Sequence, residues 1–236
     1  MWDTIANPVL EALHLRRPPA NGKWPHVWWI LTSTPSKFPL HAAGLHVRTS
    51  FKPVIDRVMS SYSSSIKAVI HDRSSRGLGG THGAIPQAIL VAVFNAAGSR
   101  PLLFVKQGVE MLHELCRAMS LDPVEPGRRN SDVVSHLSQC KIFHFAGHGF
   151  TDSSDPSKSY LRLDDGKEDL LTVATLLGMN VCEQLPFLAY LSACGTGQSN
   201  NDRLLNEIIH LISAFRLAGF RHAVGTLWKV SDEVCV

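Results

Sequence analysis

"KIFHFAGHGF", residues 141–150, is an apolar run of strand length that ends on a histidine held between two glycines. With Ile, Phe and Ala on both parities it has no polar face, as expected of a strand covered on both sides of a sheet. Downstream, "PFLAYLSACGTG" (186–197) repeats the pattern with a cysteine at the end. His148 and Cys194 therefore stand 46 residues apart, each just past the carboxyl end of an expected strand.

The segments around these two runs alternate in type. "QAILVAVFNAA" (87–97) reads as another strand buried on both faces. "VKQGVEMLHELCRAM" (105–119) has helical spacing, with Val109, Leu112, Leu115 and Cys116 on one stripe, and Pro123, Pro126 and Gly127 break it. Asn130 or Ser131 is placed to cap a short helix, "DVVSHLS". After the loop "FTDSSDPSKS" come a strand, "YLRL", and a helix, "TVATLLGM", with Thr172 at its cap. "RLLNEIIHLISAFRLAG" is a helix with Gly219 where a terminating glycine belongs, and "HAVGTLW" is a last strand. Upstream, residues 2–14 read as helix, "HVWWILT" (26–32) as strand, and a further helix starts near Ser63–Ser65, followed by a Gly- and Ser-rich loop over 74–84. Strands alternating with helices from residue 87 onward predict an α/β fold: a mostly parallel sheet with helices on both faces. Reactive groups in such sheets collect at the carboxyl ends of strands, so His148 and Cys194 are expected on the same sheet edge.

The chain of 236 residues suits one large domain, or one domain with a small appendage. Neither the net charge of +3 nor the 12 scattered histidines argue for a nucleic-acid or membrane surface, and none is expected. No run approaches the roughly 18 to 20 apolar residues of a membrane span. The N-terminus lacks the basic start and apolar core of a secretory signal. Five cysteines, odd in number and without C-x-x-C spacing, fit free thiols in a reducing compartment. A soluble, cytoplasmic protein is expected.

A cysteine attacks as thiolate, and a nearby imidazole can take its proton. Gly147 and Gly149 are expected to let the chain turn tightly around His148, and Gly195 and Gly197 to do so after Cys194. The N–H groups of Gly149 and Cys194 are candidate donors to an oxyanion. The competing readings are structural. Cys116 and Cys182 suit small core positions, while Cys140 and Cys235 lack glycine turns and are expected to be inert. His144, inside the strand, suits a buried supporting role. A His144–His148–Cys194 metal site lacks an acidic fourth ligand, so no metal is expected. No G-x-S-x-G points to a serine hydrolase. No cofactor is implied, since a thiol supplies its own chemistry. On spacing and glycine flanks alone, a catalytic dyad and a pair of packed residues both remain open.

"HFAGHG", "LSACGTG" and "AFRLAGFRHAVGTLWKVSD", in this order, resemble the CHAT family, caspase-related domains often found behind tetratricopeptide repeats. "WWILTSTPSKFPLHAAG" resembles the family's N-terminal block. The resemblance covers about residues 25 to 232 and is strongest from 140 to 232. It implies a caspase-like three-layer fold over 25–236, preceded by an N-terminal helix and linker over 1–24. It also implies a caspase- or separase-like cysteine endopeptidase with His148 as catalytic histidine and Cys194 as nucleophile. The Gly149 and Cys194 N–H groups would form the oxyanion hole. Asp232 is placed like a substrate-pocket acid that reads a basic side chain, and it equally suits a solvated turn or a helix cap. Many relatives are acidic directly after the cysteine, where this chain has Gly195, which bears on selectivity. Relatives continue beyond the position of Val236, so a C-terminally incomplete domain with an uncovered strand edge is expected, and with it self-association. The implied partners are protein or peptide substrates and tetratricopeptide-repeat or other signalling proteins. The alternative function is an inactive CHAT scaffold or signalling module.

Overall fold

The computed structural model describes residues 1–20, 22–32, 34–47, 50–74, 85–94, 101–152, 154–163, 170–179, 186–193 and 211–226. They fall into two compact units, Met1–Ile66 and Lys67–Val236.

In the first unit one π-helical turn, Trp2–Ala6, runs directly into α1 (Asn7–Ala12), whose first turn contains Pro8. β1 (His26–Trp29) follows, then the antiparallel pair β2 (Gly44–Val47) and β3 (Ser50–Pro53), then β4 (Met59–Tyr62), which pairs in parallel with β1. Ala6, Leu10, Val27, Trp29, Leu40 and Val54 belong to a small core of this unit. The Trp29 indole N–H donates to Ser60 Oγ at 3.0 Å, so the buried ring keeps its polar end satisfied.

α2 (Ile66–Ser74) begins at the junction of the units. In the second unit the elements are β5 (Gln87–Ala92), α3 (Val105–Ala118), β6 (Asp122–Val124), α4 (Asn130–Leu137), β7 (Cys140–Gly147), β8 (Gly149–Phe150), β9 (Tyr160–Arg162), β10 (Leu170–Thr172), α5 (Val173–Gly178), β11 (Leu188–Ala193), α6 (Leu211–Ala218) and β12 (His222–Gly225). The main sheet has the order β12-β11-β7-β5-β6 and every pair in it is parallel. This is the α/β sheet that the alternation predicts.

Side-chain alternation along β7 shows why helices lie on both faces. Phe143 and Phe145 enter the large core with Val133 and Leu137 of α4, Leu176 of α5 and Phe215 of α6. Ala146 points the other way and packs with Ala92 against Val105 and Val109 of α3. Crossovers of one hand require this arrangement. The chain steps from β5 to β6 in one direction and then returns across β5 to β7, β11 and β12, so α3 is opposed to α4, α5 and α6. The reversal lies between β5 and β7, and a crevice at the carboxyl ends of such a pair is the usual place for a ligand.

One strand goes unforeseen and two local expectations change. β6 contains Pro123, a residue that reads as a breaker; it is tolerated because β6 is the sheet's edge and needs no second ladder. Leu115 is 53% exposed; the buried residues of α3 are Val105, Val109 and Cys116, and the two valines pack on Ala92 and Ala146. Asn130 is the first residue of α4 and Arg129 holds the cap position; the Asn130 amide donates to the Leu170 carbonyl. Elsewhere the expected punctuation holds. Thr172 accepts from the Thr175 N–H at 3.0 Å at the start of α5. Gly219 takes φ +123°, with the Phe220 N–H returning to the Phe215 carbonyl at 3.1 Å, a turn that only glycine makes easily.

Candidate active site

His148 occupies the single residue between β7 and β8, at the carboxyl end of a central strand. It is half-buried, with its Nε2 shielded from solvent. The tight turn expected around it is absent. Gly147 ends one strand and Gly149 begins the next, and neither has the positive φ seen at Gly22 and Gly219. Gly147 is needed for packing instead: a Cβ there would lie 2.7 Å from Phe145 Cζ and 3.2 Å from Val93 Cβ. The chain passes flush over a filled core and delivers His148 at its rim.

The small antiparallel sheet, order β10-β9-β8, decides where the next N–H points. The Arg162 N–H donates to the His148 carbonyl at 3.0 Å, and Gly149 pairs with Leu161. Wide and narrow pairs alternate in an antiparallel ladder, so Gly149 sits in the non-hydrogen-bonded pair and its N–H faces away from β9. β8 is the edge of that sheet.

β11 runs beside β7 in register from Leu188 opposite Ile142 to Ala193 opposite Gly147. The residue before Cys194 is thus the strand neighbour of the residue before His148, at the roughly 4.8 Å spacing of adjacent strands. The Ala193 carbonyl accepts from the Thr226 hydroxyl at 2.8 Å, which ties the tip of β11 to the residue that follows β12. Cys194 itself, Gly195, Gly197 and Asp232 lie outside the described residues, as do Cys182 and Cys235.

Two other thiols are described, and both are poor nucleophiles. Burial pushes the Cys140 thiol up to about 12, and it donates to the Leu137 carbonyl at 3.4 Å. Burial raises the Cys116 thiol as well.

His144, two residues before Ala146, lies on the α3 face of β7 with only 5% of its surface exposed. Its ring stacks on Tyr190, opposite it on β11, at 5.3 Å between centroids. Its Nδ1 is buried with no hydrogen-bond partner among the described residues, and desolvation lowers its pKa to about 4. Above its unfolded value of 6.5 the ring is neutral in both states, and no stability depends on it. As pH falls below 6.5 the unfolded chain takes up a proton that the folded chain refuses, so stability drops until about pH 4. The total loss from this group is about 3 kcal/mol, since one pKa unit corresponds to about 1.4 kcal/mol. A His144→Phe variant, which keeps a stacked ring, is expected to lose that share of the acid sensitivity when urea midpoints are compared at pH 7 and pH 4.5. An identical pH dependence in parent and variant would contradict this.

The loop after β8 is organised by its acids. Asp152 Oδ1 accepts from the Ser154 hydroxyl and from the N–H groups of Ser154 and Asp155 at 2.7 to 2.9 Å. These bonds, that of the Ser154 hydroxyl first, hold the Asp152 carboxyl down at about 2. Asp155 accepts in turn from the Ser157 N–H and hydroxyl. The Asp-x-Ser-Asp-Pro pattern carried this signal, since short acids before Ser and Pro build such turns. Nothing local in the sequence marks Thr226, whose partner is 33 residues away.

The CHAT domain family model matches residues 1–236, the whole chain. No curated protein matches it significantly. Among the described residues no helix is long and apolar enough to cross a membrane.

Proposed function

The chain belongs to the CHAT domain family, within the caspase-like clan, and on that premise we propose that it is a cysteine endopeptidase acting through a His148–Cys194 dyad. The observation that carries this reading is the register of the two central strands: Gly147 and Ala193, the residues preceding the dyad, are paired neighbours on β7 and β11. Parallel strands bring their following residues out on the same sheet edge, which is the condition for imidazole and thiol to meet.

In this reading His148 takes the Cys194 proton, and the sulfur attacks the carbonyl carbon of a peptide bond. The tetrahedral oxyanion is held by the N–H groups of Gly149 and Cys194, and the outward direction of the Gly149 N–H supports that role. The C–N bond breaks as His148 passes its proton to the leaving amine. Water, deprotonated by the same imidazole, then cleaves the thioester and restores the thiol. Asp232 is the candidate for reading a basic side chain before the scissile bond. A thiol-reactive peptide probe is expected to label the parent and not a Cys194→Ala variant. Equal labelling of both would place the nucleophile elsewhere, and a parent that binds partners without ever turning over substrate would favour the scaffold.

Thr226 enters this reading as a positioning residue, because its hydroxyl holds the Ala193 carbonyl at the tip of β11, directly before Cys194 in the sequence. Thr226→Val keeps the shape and removes the donor. It is expected to lower kcat on the order of tenfold with KM little changed, short of the ~100-fold that a 1 Å displacement can cost. Thr226→Ser should restore most of the rate. A loss confined to thermal stability, with kcat intact, would reduce Thr226 to a structural tie.

A further inference from the structure

Charge is unevenly shared along the chain. Residues 1–66 hold seven Lys and Arg against three Asp and Glu, leaving sixteen against seventeen in the remainder. No acid occurs between Ala12 and Ile55. Within this stretch residues between α1 and β1 line an open groove of about 610 Å³. Its ionisable lining is His14, Arg16, Arg17 and Lys23, with no acid among them, and Trp24 lines it as well with 43% of its surface exposed.

The frame is held in place by specific bonds. α1 ends in a terminating turn in which the His14 N–H returns to the Glu11 carbonyl at 3.0 Å and the Leu15 N–H to the Leu10 carbonyl at 2.8 Å. His14 pays for this with a left-handed φ of +59°, where a glycine would be at ease. Leu15 packs on the unit's small core and anchors the turn, so Arg16 and Arg17 leave it in a set direction. Pro18, Pro19 and Pro25 restrict the rest of the segment. Arg16 and Arg17, adjacent and exposed, repel one another, and a bound anion would relieve that repulsion.

We propose that this groove of the first unit binds a nucleotide-class ligand, its phosphates held by Arg16, Arg17 and Lys23 and its planar base laid on Trp24. The volume lies within the range of small-ligand pockets and suits one such molecule. Arginine forks match phosphate oxygens two at a time, and an indole face accepts any base by stacking. An acidic peptide could satisfy the charge, but it would make no use of the aromatic wall.

The test is calorimetric titration of the full 236-residue chain with ATP, inorganic tripolyphosphate, adenosine and a glutamate-rich peptide. Saturable one-to-one ATP binding is expected, with tripolyphosphate competing. Arg16→Gln/Arg17→Gln should weaken both phosphate ligands about tenfold or more, as loss of paired charge-assisted bonds requires. Trp24→Ala should weaken ATP about fivefold or more and leave tripolyphosphate unchanged, because only the base stacks. All substituted residues are exposed, and melting curves check that the variants fold. The proposal is overturned if ATP gives no saturable heat, if the arginine variant binds as the parent does, or if the glutamate-rich peptide binds and ATP fails to displace it.

Discussion

His148→Ala is expected to lower kcat/KM for peptide cleavage by about a thousandfold or more, the range in which a positioned base and its nucleophile act. Cys194→Ala is expected to abolish turnover, and the double variant should be no worse than the single cysteine variant. That failure of additivity is the informative part. Two groups serving one proton transfer lose the same step whichever is removed, whereas two independent contributors would multiply. The comparison needs the variants to fold, and His148 favours this, being half-buried at a rim and only partly committed to packing. Activity of His148→Ala within about tenfold of the parent would end the dyad reading, because acid–base assistance from a positioned imidazole is worth at least about a hundredfold. A parent inert toward every peptide, with intact partner binding, would support the scaffold instead.

Phe143→Ala is expected to destabilise the second unit by about 4 kcal/mol, within the 3 to 5 typical of emptying a buried phenylalanine site. Phe143 is fully buried, stacked on Phe215 at 5.2 Å between centroids and tilted against Phe220 at 6.5 Å. It links the central strand to α6 and to the turn that precedes β12, so the neighbours that would have to collapse into the gap are held by separate segments. Against a total stability of about 5 to 15 kcal/mol this is a large fraction. The urea midpoint should fall with the m-value unchanged. Leu115→Ala, at the exposed margin of α3, is expected to shift stability by no more than about 0.5 kcal/mol. Equal losses in the two variants would mean that the core is not where Phe143 lies.

Legibility of the fold followed burial on both faces. β5 and β7 are apolar runs because both of their faces are largely covered, and such runs stand out in a single sequence; β11 buries only Ala189, Leu191 and Ala193 and leaves Tyr190 exposed on its other face. β6 did not stand out, because an edge strand can carry Pro123 and be three residues long. The short strands β8, β9 and β10 form by antiparallel pairing across a loop, and only the YLRL run announced one of them. Asn130 shows how a residue suited to a cap can be drawn to a distant carbonyl once the chain is folded.

For the site, the glycine-flanked His148 and the family blocks were readable from the chain alone, and so was the parallel alternation that sends strand ends to one edge. The reason is that each depends on residues close together in sequence. What the folded chain alone decided was geometry across distance. It set the Gly147–Ala193 register, the direction of the Gly149 N–H, the Thr226 tie and the packing role of Gly147. Each of these is fixed by contacts between residues far apart along the chain, and local residue types carry no record of such partners.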